Sequence, residues 1–242
     1  MAILFGTDEA DNINGTDSND TIYGYKGDDG LGGGLGDDTI YGGLGNDVLT
    51  GGKDNDFLIG GVGNDFLIGD GLFDNFGNNN DFLDGGKGDD VLIGGYGNNL
   101  LVGGEGNDYL KGIARGGDII NQLTGGEKGE KGDGARDVFE LGAGDSYFYI
   151  DSSPSESVQL ETGGVVVGLN SYALITDYED GIDKLQLPNG TLASNTRIDN
   201  INYNGIQGTA IAVGGEGGPP GVIAILQGVD SSTISGGDFI FA

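Results

Sequence analysis

GGLGDDTIYGGLGNDVLTGGKDNDFLIGGVGNDFLI, residues 33–68, is one nine-residue phrase written four times over. The phrase is Gly-Gly-x-Gly-x-Asp-x-(aliphatic)-x, and only Asp54, in the place of a fourth-position glycine, departs from it. The same phrase continues on both sides. GTDEADNIN (6–14) and GTDSNDTIY (15–23) lead it with threonine at position two, and GYKGDDGLG (24–32) follows them. Downstream stand GGKGDDVLI (85–93), GGYGNNLLV (94–102) and GGEGNDYLK (103–111). Copies 69–84, 112–124 and 125–140 carry insertions of seven, four and seven residues. Thirteen copies thus fill residues 6–140, with glycine at position one and an apolar side chain at position eight in every one.

A fixed period of this length is the mark of a solenoid, whose units bury their apolar faces only against their neighbours. Within each copy, the first six residues are expected to form a turn, where glycines permit close backbone approach. The last three form a short strand that sends residue eight to one side and residues seven and nine to the other. Two copies make one flattened coil, and stacked coils give two facing parallel sheets with the position-eight side chains between them. One buried aliphatic per nine residues is too little to offset the ordering cost of so much glycine. Without further cohesion the chain is expected to be unfolded.

Glycine makes up 54 of the 242 residues, but not at every third position, so a collagen helix is out. The GEKGEKGDG stretch (126–134) imitates that pattern only briefly and reads as a surface loop. The net charge is −29, from 39 acids and 10 bases. Such a chain repels nucleic acid and anionic membrane surfaces, and also opposes its own compaction, so its regularly spaced aspartates point to cations. Cysteine and histidine are absent, which removes disulfides, thiolate sites and imidazole ligands. No apolar run suffices for membrane insertion, and Met1–Phe5 lacks the features of a secretory signal.

The repeats resemble the RTX calcium-binding nonapeptide family over residues 6–140. The resemblance implies an all-β fold, a right-handed parallel β-roll solenoid with Ca²⁺ between the turns of successive coils. Residues 1–5 are then a leader, and 141–242 a small β-rich C-terminal domain. It also implies that one turn gives the carbonyls of positions one, three and five. The turn one coil away gives those of positions two and four and the position-six carboxylate. Here position six is Asp11, Asp20, Asp29, Asp38, Asp47, Asp56, Asp65, Asp81, Asp90, Asp108 and Asp137, with uncharged Asn99 and Asn121 in two copies. The glycines at positions two and four are Gly27, Gly34, Gly36, Gly43, Gly45, Gly52, Gly61, Gly63, Gly86, Gly88, Gly95, Gly97, Gly104 and Gly106. Asp8, Asp17 and Asp54 are either supplementary ligands or polar rim. Ca²⁺ takes six or more oxygens, carbonyls included, and the affinity class expected is about 10⁻⁴–10⁻³ M per site. Binding is then folding.

Positions seven and nine turn apolar in the middle copies, as in Phe57, Ile59, Phe66, Ile68, Phe82, Val91, Ile93, Leu100 and Val102. Apolar surface of that extent calls for a cover. Either the C-terminal segment covers one face and a second molecule the other, or that segment wraps both. Residues 141–242 read as short strands: Tyr147–Ile150, Val158–Glu161, Val165–Leu169, Tyr172–Thr176, Lys184–Leu187, Ile211–Val213, Val222–Gln227 and Phe239–Phe241. The phrases SYALITDYEDGIDKLQL (171–187) and GVIAILQGVD (221–230) are similar to the domain that closes cyanobacterial-type RTX chains. The ending Asp238-Phe-Ile-Phe-Ala is similar to that of type I secretion substrates, or is simply a final buried strand.

Catalysis is not expected. The histidine of a serine or zinc hydrolase is missing, and Asp145, Asp177, Glu179, Asp180 and Asp183 read as loop acids. The function expected is a secreted, non-enzymatic, calcium-binding structural protein that forms homo-oligomers or polymers, exported by type I machinery and binding neither nucleic acid nor membrane. The rival is an adhesin with a ligand site in 141–242.

Overall fold

The computed structural model describes residues 1–70, 79–112, 120–126, 134–140, 142–143, 146–147, 157–159, 165–167, 172–179, 182–187, 197–203, 206–213 and 221–241. The insertion at 70–76 and the collagen-like stretch fall largely outside them, as do Asp145 and Asp180.

Thirteen strands correspond to the thirteen copies, and one more lies ahead of them in residues 1–5. They are β1 (Ile3–Phe5), β2 (Asn12–Asn14), β3 (Thr21–Lys26), β4 (Gly30–Leu35), β5 (Thr39–Leu44), β6 (Val48–Lys53), β7 (Phe57–Val62), β8 (Phe66–Asp70), β9 (Phe82–Lys87), β10 (Val91–Ile93), β11 (Leu100–Glu105), β12 (Tyr109–Lys111), β13 (Ile120–Thr124) and β14 (Val138–Glu140). The leading strand, β1, pairs parallel with β3 in the same roll. Odd-numbered strands form one parallel sheet and even-numbered strands the other, each pairing with the strand one coil away. The register locks like onto like, as in Thr39↔Phe57, Ile40↔Leu58 and Tyr41↔Ile59. Position eight is the interior: Ile22, Ile40, Leu49, Leu58, Leu67, Leu83, Leu92, Leu101, Leu110, Leu123 and Phe139 are fully buried. The chain is an all-β parallel β-roll.

Many strands are twice as long as expected. Positions one to three continue the ladder, because stacked glycines keep their coil-to-coil pairing, as in Gly43↔Gly61 and Leu44↔Val62. The turn proper shrinks to positions four to six. Gly43 (φ 118°) and Gly45 (φ 132°) show the left-handed backbone that this path requires at positions two and four. Tyr25 (φ 77°) and Asp54 (φ 76°) adopt it despite their side chains.

The sheets do not stop at residue 140. The strand Tyr172–Ile175 pairs parallel with β13, and Lys184–Leu187 with β14. Beyond them Gly221–Gln227 and Phe239–Phe241 extend the same two sheets. An antiparallel hairpin, Arg197–Tyr203 with Ile206–Val213, adds to the edge of Gly221–Gln227. The expected cover over an outer face is therefore not where these strands lie: they add to the roll end-on, and Val48 and Phe57 stay 49% and 39% exposed. Among the described residues no helix is long and apolar enough to cross a membrane.

Candidate metal centre

Each turn is built around the position-six side chain. Asp20, Asp29, Asp38, Asp47, Asp56, Asp65, Asp81, Asp90, Asp108 and Asp137 are all buried, as are Asn99 and Asn121. Asp11 is half-buried at the start of the roll. Their first oxygen is a structural acceptor. Asp38 Oδ1 takes the amide of Asp20 (2.7 Å), Asp56 Oδ1 that of Asp38 (2.8 Å), and Asp81 Oδ1 that of Asp56 (2.9 Å). On the other sheet Asp29, Asp47, Asp65, Asp90, Asp108 and Asp137 continue the same ladder. Asn99 and Asn121 join it through their side-chain carbonyls.

The second oxygen is different. Oδ2 of Asp29, Asp38, Asp47, Asp56, Asp65, Asp81 and Asp90 is buried and accepts no hydrogen bond from the protein. A carboxylate oxygen in that position costs free energy unless something neutralises it. Burial, the first cause, pushes the carboxyl of Asp56 up to about 8, and those of Asp81 and Asp90 up to about 7. Asp38 and Asp65 are pushed to about 6, and Asp29 and Asp47 are also raised by burial.

Main-chain oxygens converge on the same gap. The point that a Cβ on Gly33 would occupy lies 2.3 Å from Asp38 Oδ2 and 2.6 Å from the carbonyl oxygen of Gly51, one coil on. Gly42 and Gly60 reproduce this cradle with Asp47 and Asp65. From the other side, a Cβ on Gly52 would meet the carbonyl of Gly34 at 2.2 Å, and one on Gly45 the carbonyl of Gly27 at 2.1 Å. Position-one carbonyls thus point back and those of positions two and four point forward, into one gap with the second carboxylate oxygen. Asn99 shows what such a gap accepts. Its Nδ2 donates to the carbonyls of Gly95 (3.3 Å) and Tyr96 (3.2 Å), a partial positive charge in place of the second oxygen. That leaves Asn99 no side-chain oxygen facing the turn.

Among the described residues no three carboxylates or other acidic ligands come together. An ion here would be met by main-chain carbonyls with single carboxylates. Hard oxygen donors of this kind, numerous and partly uncharged, suit Ca²⁺. Of the three supplementary acids, Asp8 pairs with Lys26 (2.6 Å) and Asp54 Oδ2 accepts the amide of Gly36 (3.1 Å).

Two features went unread in the sequence. Position five is Asn or Asp in ten successive copies, from Asn19 to Asn107. Its side chain builds a second ladder of opposite polarity: Asp28 Oδ1 accepts the amide of Asn46 (2.8 Å), Asn46 Oδ1 that of Asn64 (2.8 Å), and Asp89 Oδ1 that of Asn107 (2.8 Å). Asp183 is not a loop acid. It carries the position-six ladder onward by accepting the amide of Asp137 (3.0 Å), and Leu185 two residues later is buried as position eight is.

Residues 5–40, 32–67, 41–74 and 77–110 match four copies of the RTX calcium-binding nonapeptide repeat. No curated protein sequence matches the chain significantly. With the cradle of carbonyls and lone carboxylate oxygens on one side and this match on the other, the chain carries RTX calcium-binding nonapeptide repeats within residues 5–110 and binds Ca²⁺ at multiple repeats.

Proposed function

We propose that the protein is a non-catalytic, extracellular structural component whose roll sets when it meets millimolar Ca²⁺ and which then associates with copies of itself. The observation that carries this reading is the file of buried, unpartnered second carboxylate oxygens from Asp29 to Asp90. Bound there, Ca²⁺ supplies the divalent charge that those carboxylates need. The protein's part is to aim oxygens. Position six bonds its own Oδ1 to the neighbouring coil and so fixes where Oδ2 points, while the left-handed glycines turn alternate carbonyls into the gap. The ions' ligands in this reading are Oδ2 of Asp29, Asp38, Asp47, Asp56, Asp65, Asp81 and Asp90, with carbonyls of positions one, two and four.

Secretion is typical of RTX repeat proteins, and fits a chain that folds where calcium is abundant. Export by type I machinery belongs to the same reading. A non-catalytic role is supported by two of the acids that a hydrolase would need, since Asp177 and Asp183 already accept backbone amides. Self-association is supported by the exposed outer faces, where Ile3, Phe5, Val48 and Phe57 are 56%, 61%, 49% and 39% exposed. Light scattering behind a sizing column, run in Ca²⁺ and then in EGTA, tests this. An expanded monomer in EGTA and compact species of higher mass in Ca²⁺ are expected. A compact monomer at saturating Ca²⁺ refutes assembly, and a compact chain in EGTA refutes calcium-driven folding.

A further inference from the structure

The unpartnered oxygen that marks the middle coils is missing from the first one. Copies 6–14 and 15–23 hold threonine at position two, where most later copies hold glycine. Thr16 donates both its amide and its hydroxyl to Asp20 Oδ2, each at 2.7 Å. Thr7 donates the same two groups to Asp11 Oδ2, at 2.6 and 2.9 Å. Asp20 is as deeply buried as Asp29 or Asp65, so the difference is not one of exposure. Thr7 and Thr16 also keep out of the left-handed region that Gly34 (φ 114°) and Gly43 (φ 118°) occupy at the same position. A β-branched residue is stiff and resists that region, and its Oγ1 here reaches the carboxylate of its own repeat.

The far end of the roll shows the same chemistry with different residues. Asp177 accepts the amides of Gly125 (2.9 Å) and Gly126 (2.7 Å) with its two oxygens. Asp183 Oδ2 accepts the amide of Glu179 (2.7 Å), and Asp238 Oδ2 accepts the amide (2.7 Å) and hydroxyl (2.8 Å) of Ser235. Both ends thus meet these carboxylates with protein donors, and among the described residues the buried position-six carboxylates from Asp29 to Asp90 are left open. Terminal units of solenoids are atypical because they lack a neighbour on one side.

We infer that the hydroxyls and amides of Thr7 and Thr16 stand in for the ion in the first coil, so that the calcium requirement of the roll begins only at its second coil. This rests on the reading of the unpartnered Oδ2 atoms as ion ligands. Two hydrogen bonds to one carboxylate oxygen are charge-assisted and short, which is what a clasp of this kind needs. Thr16→Gly removes the hydroxyl, restores the Gly-Gly opening of the later copies and frees the backbone to enter their left-handed path, in which the position-two amide no longer donates to Oδ2. Ser18 at the fourth position is no obstacle, because the copy with Asp54 there still leaves Asp56 Oδ2 open.

Equilibrium dialysis of the full chain against radioactive Ca²⁺, with near-ultraviolet dichroism to confirm folding, reads the count of bound ions directly. Relative to the unaltered chain, Thr16→Gly is expected to hold one more ion, and Thr7→Gly/Thr16→Gly two more. Thr16→Ser, which keeps the hydroxyl, is expected to leave the count unchanged. Asn99→Asp, which exchanges the Nδ2 plug for an open oxygen, is expected to add one ion and shows that a gained site is detectable. An unchanged or lower count in Thr16→Gly, or loss of its fold in Ca²⁺, while Asn99→Asp gains an ion, overturns the inference and leaves the ligand reading standing. No ion bound by the unaltered chain would sink that reading itself.

Discussion

The turns of residues 33–68 and the coils that continue the roll beyond residue 171 share two sheets but not one source of cohesion. In the first stretch Ile40, Leu49, Leu58 and Leu67 are the buried aliphatics, one per nine residues, and every turn adds a buried carboxylate with an unpartnered oxygen. In the second, Ala173, Ile175, Tyr178, Leu185, Leu187, Ile211, Ile223, Ala224, Leu226 and Phe239 form a dense apolar cluster, and Asp177 and Asp183 are met by backbone amides. Burial at about 25 cal/mol per Å² of apolar surface can therefore do in the second stretch what it cannot do in the first. Parallel pairing is common to both, so pairing is not what calls for the ion. The density of unneutralised charge is.

Removing calcium should separate the two regions most strongly. Hydrogen exchange in EGTA is expected to erase protection of the β5–β10 amides while Tyr172–Ile175 and Gly221–Gln227 keep part of theirs. Uniform loss, or uniform retention, breaks the contrast. The next largest effect is local. Gly45→Ala places a Cβ about 2.1 Å from the carbonyl of Gly27 in a backbone with φ 132°, so strain of about 1–3 kcal/mol adds to a clash that only backbone movement relieves. Its denaturation midpoint in Ca²⁺ should fall sharply, whereas Gly236→Ala, where a Cβ meets nothing within 4 Å, should be near neutral.

A smaller and two-signed effect is expected of Asp56→Asn. It keeps the Oδ1 acceptor for the Asp38 amide and offers Nδ2 to the turn, as Asn99 does. One ion should be lost in calcium titrations, while the chelated chain should become slightly more ordered. Acidification is the gentlest probe. Burial raises the carboxyls of Asp38, Asp56, Asp81 and Asp90 to between about 6 and about 8, against about 3.9 in an unfolded chain. The metal-free fold therefore holds more protons than the unfolded chain across roughly pH 4–8, and its stability falls as pH rises through that window. The chelated protein should gain near-ultraviolet dichroism when moved from pH 8 towards pH 4.5. In calcium the trend reverses, since protons compete for the same oxygens.

The roll was legible because its grammar is strict: the apolar eighth position and the aspartate at the sixth lie where the nine-residue period puts them. What escaped notice had weaker marks. The position-five ladder lies at a position that the nine-residue phrase leaves open, although ten successive Asn or Asp residues there signal a shared acceptor role. The strand Arg197–Tyr203 was missed, although Tyr203 pairs with Ile206 across Asn204-Gly205, the dipeptide that favours a two-residue hairpin. Thr7 and Thr16 looked like departures from the motif. Their meaning lies in a contact four residues along, with Asp11 and Asp20, and position-by-position reading does not combine the two.

The most direct test is a crystal grown in Ca²⁺ and measured for anomalous scattering. The expected result is a file of calcium peaks between successive turns, each beside Oδ2 of one of Asp29, Asp38, Asp47, Asp56, Asp65, Asp81 and Asp90. Peaks confined to the exposed position-five side chains, or turns without any peak, would contradict it.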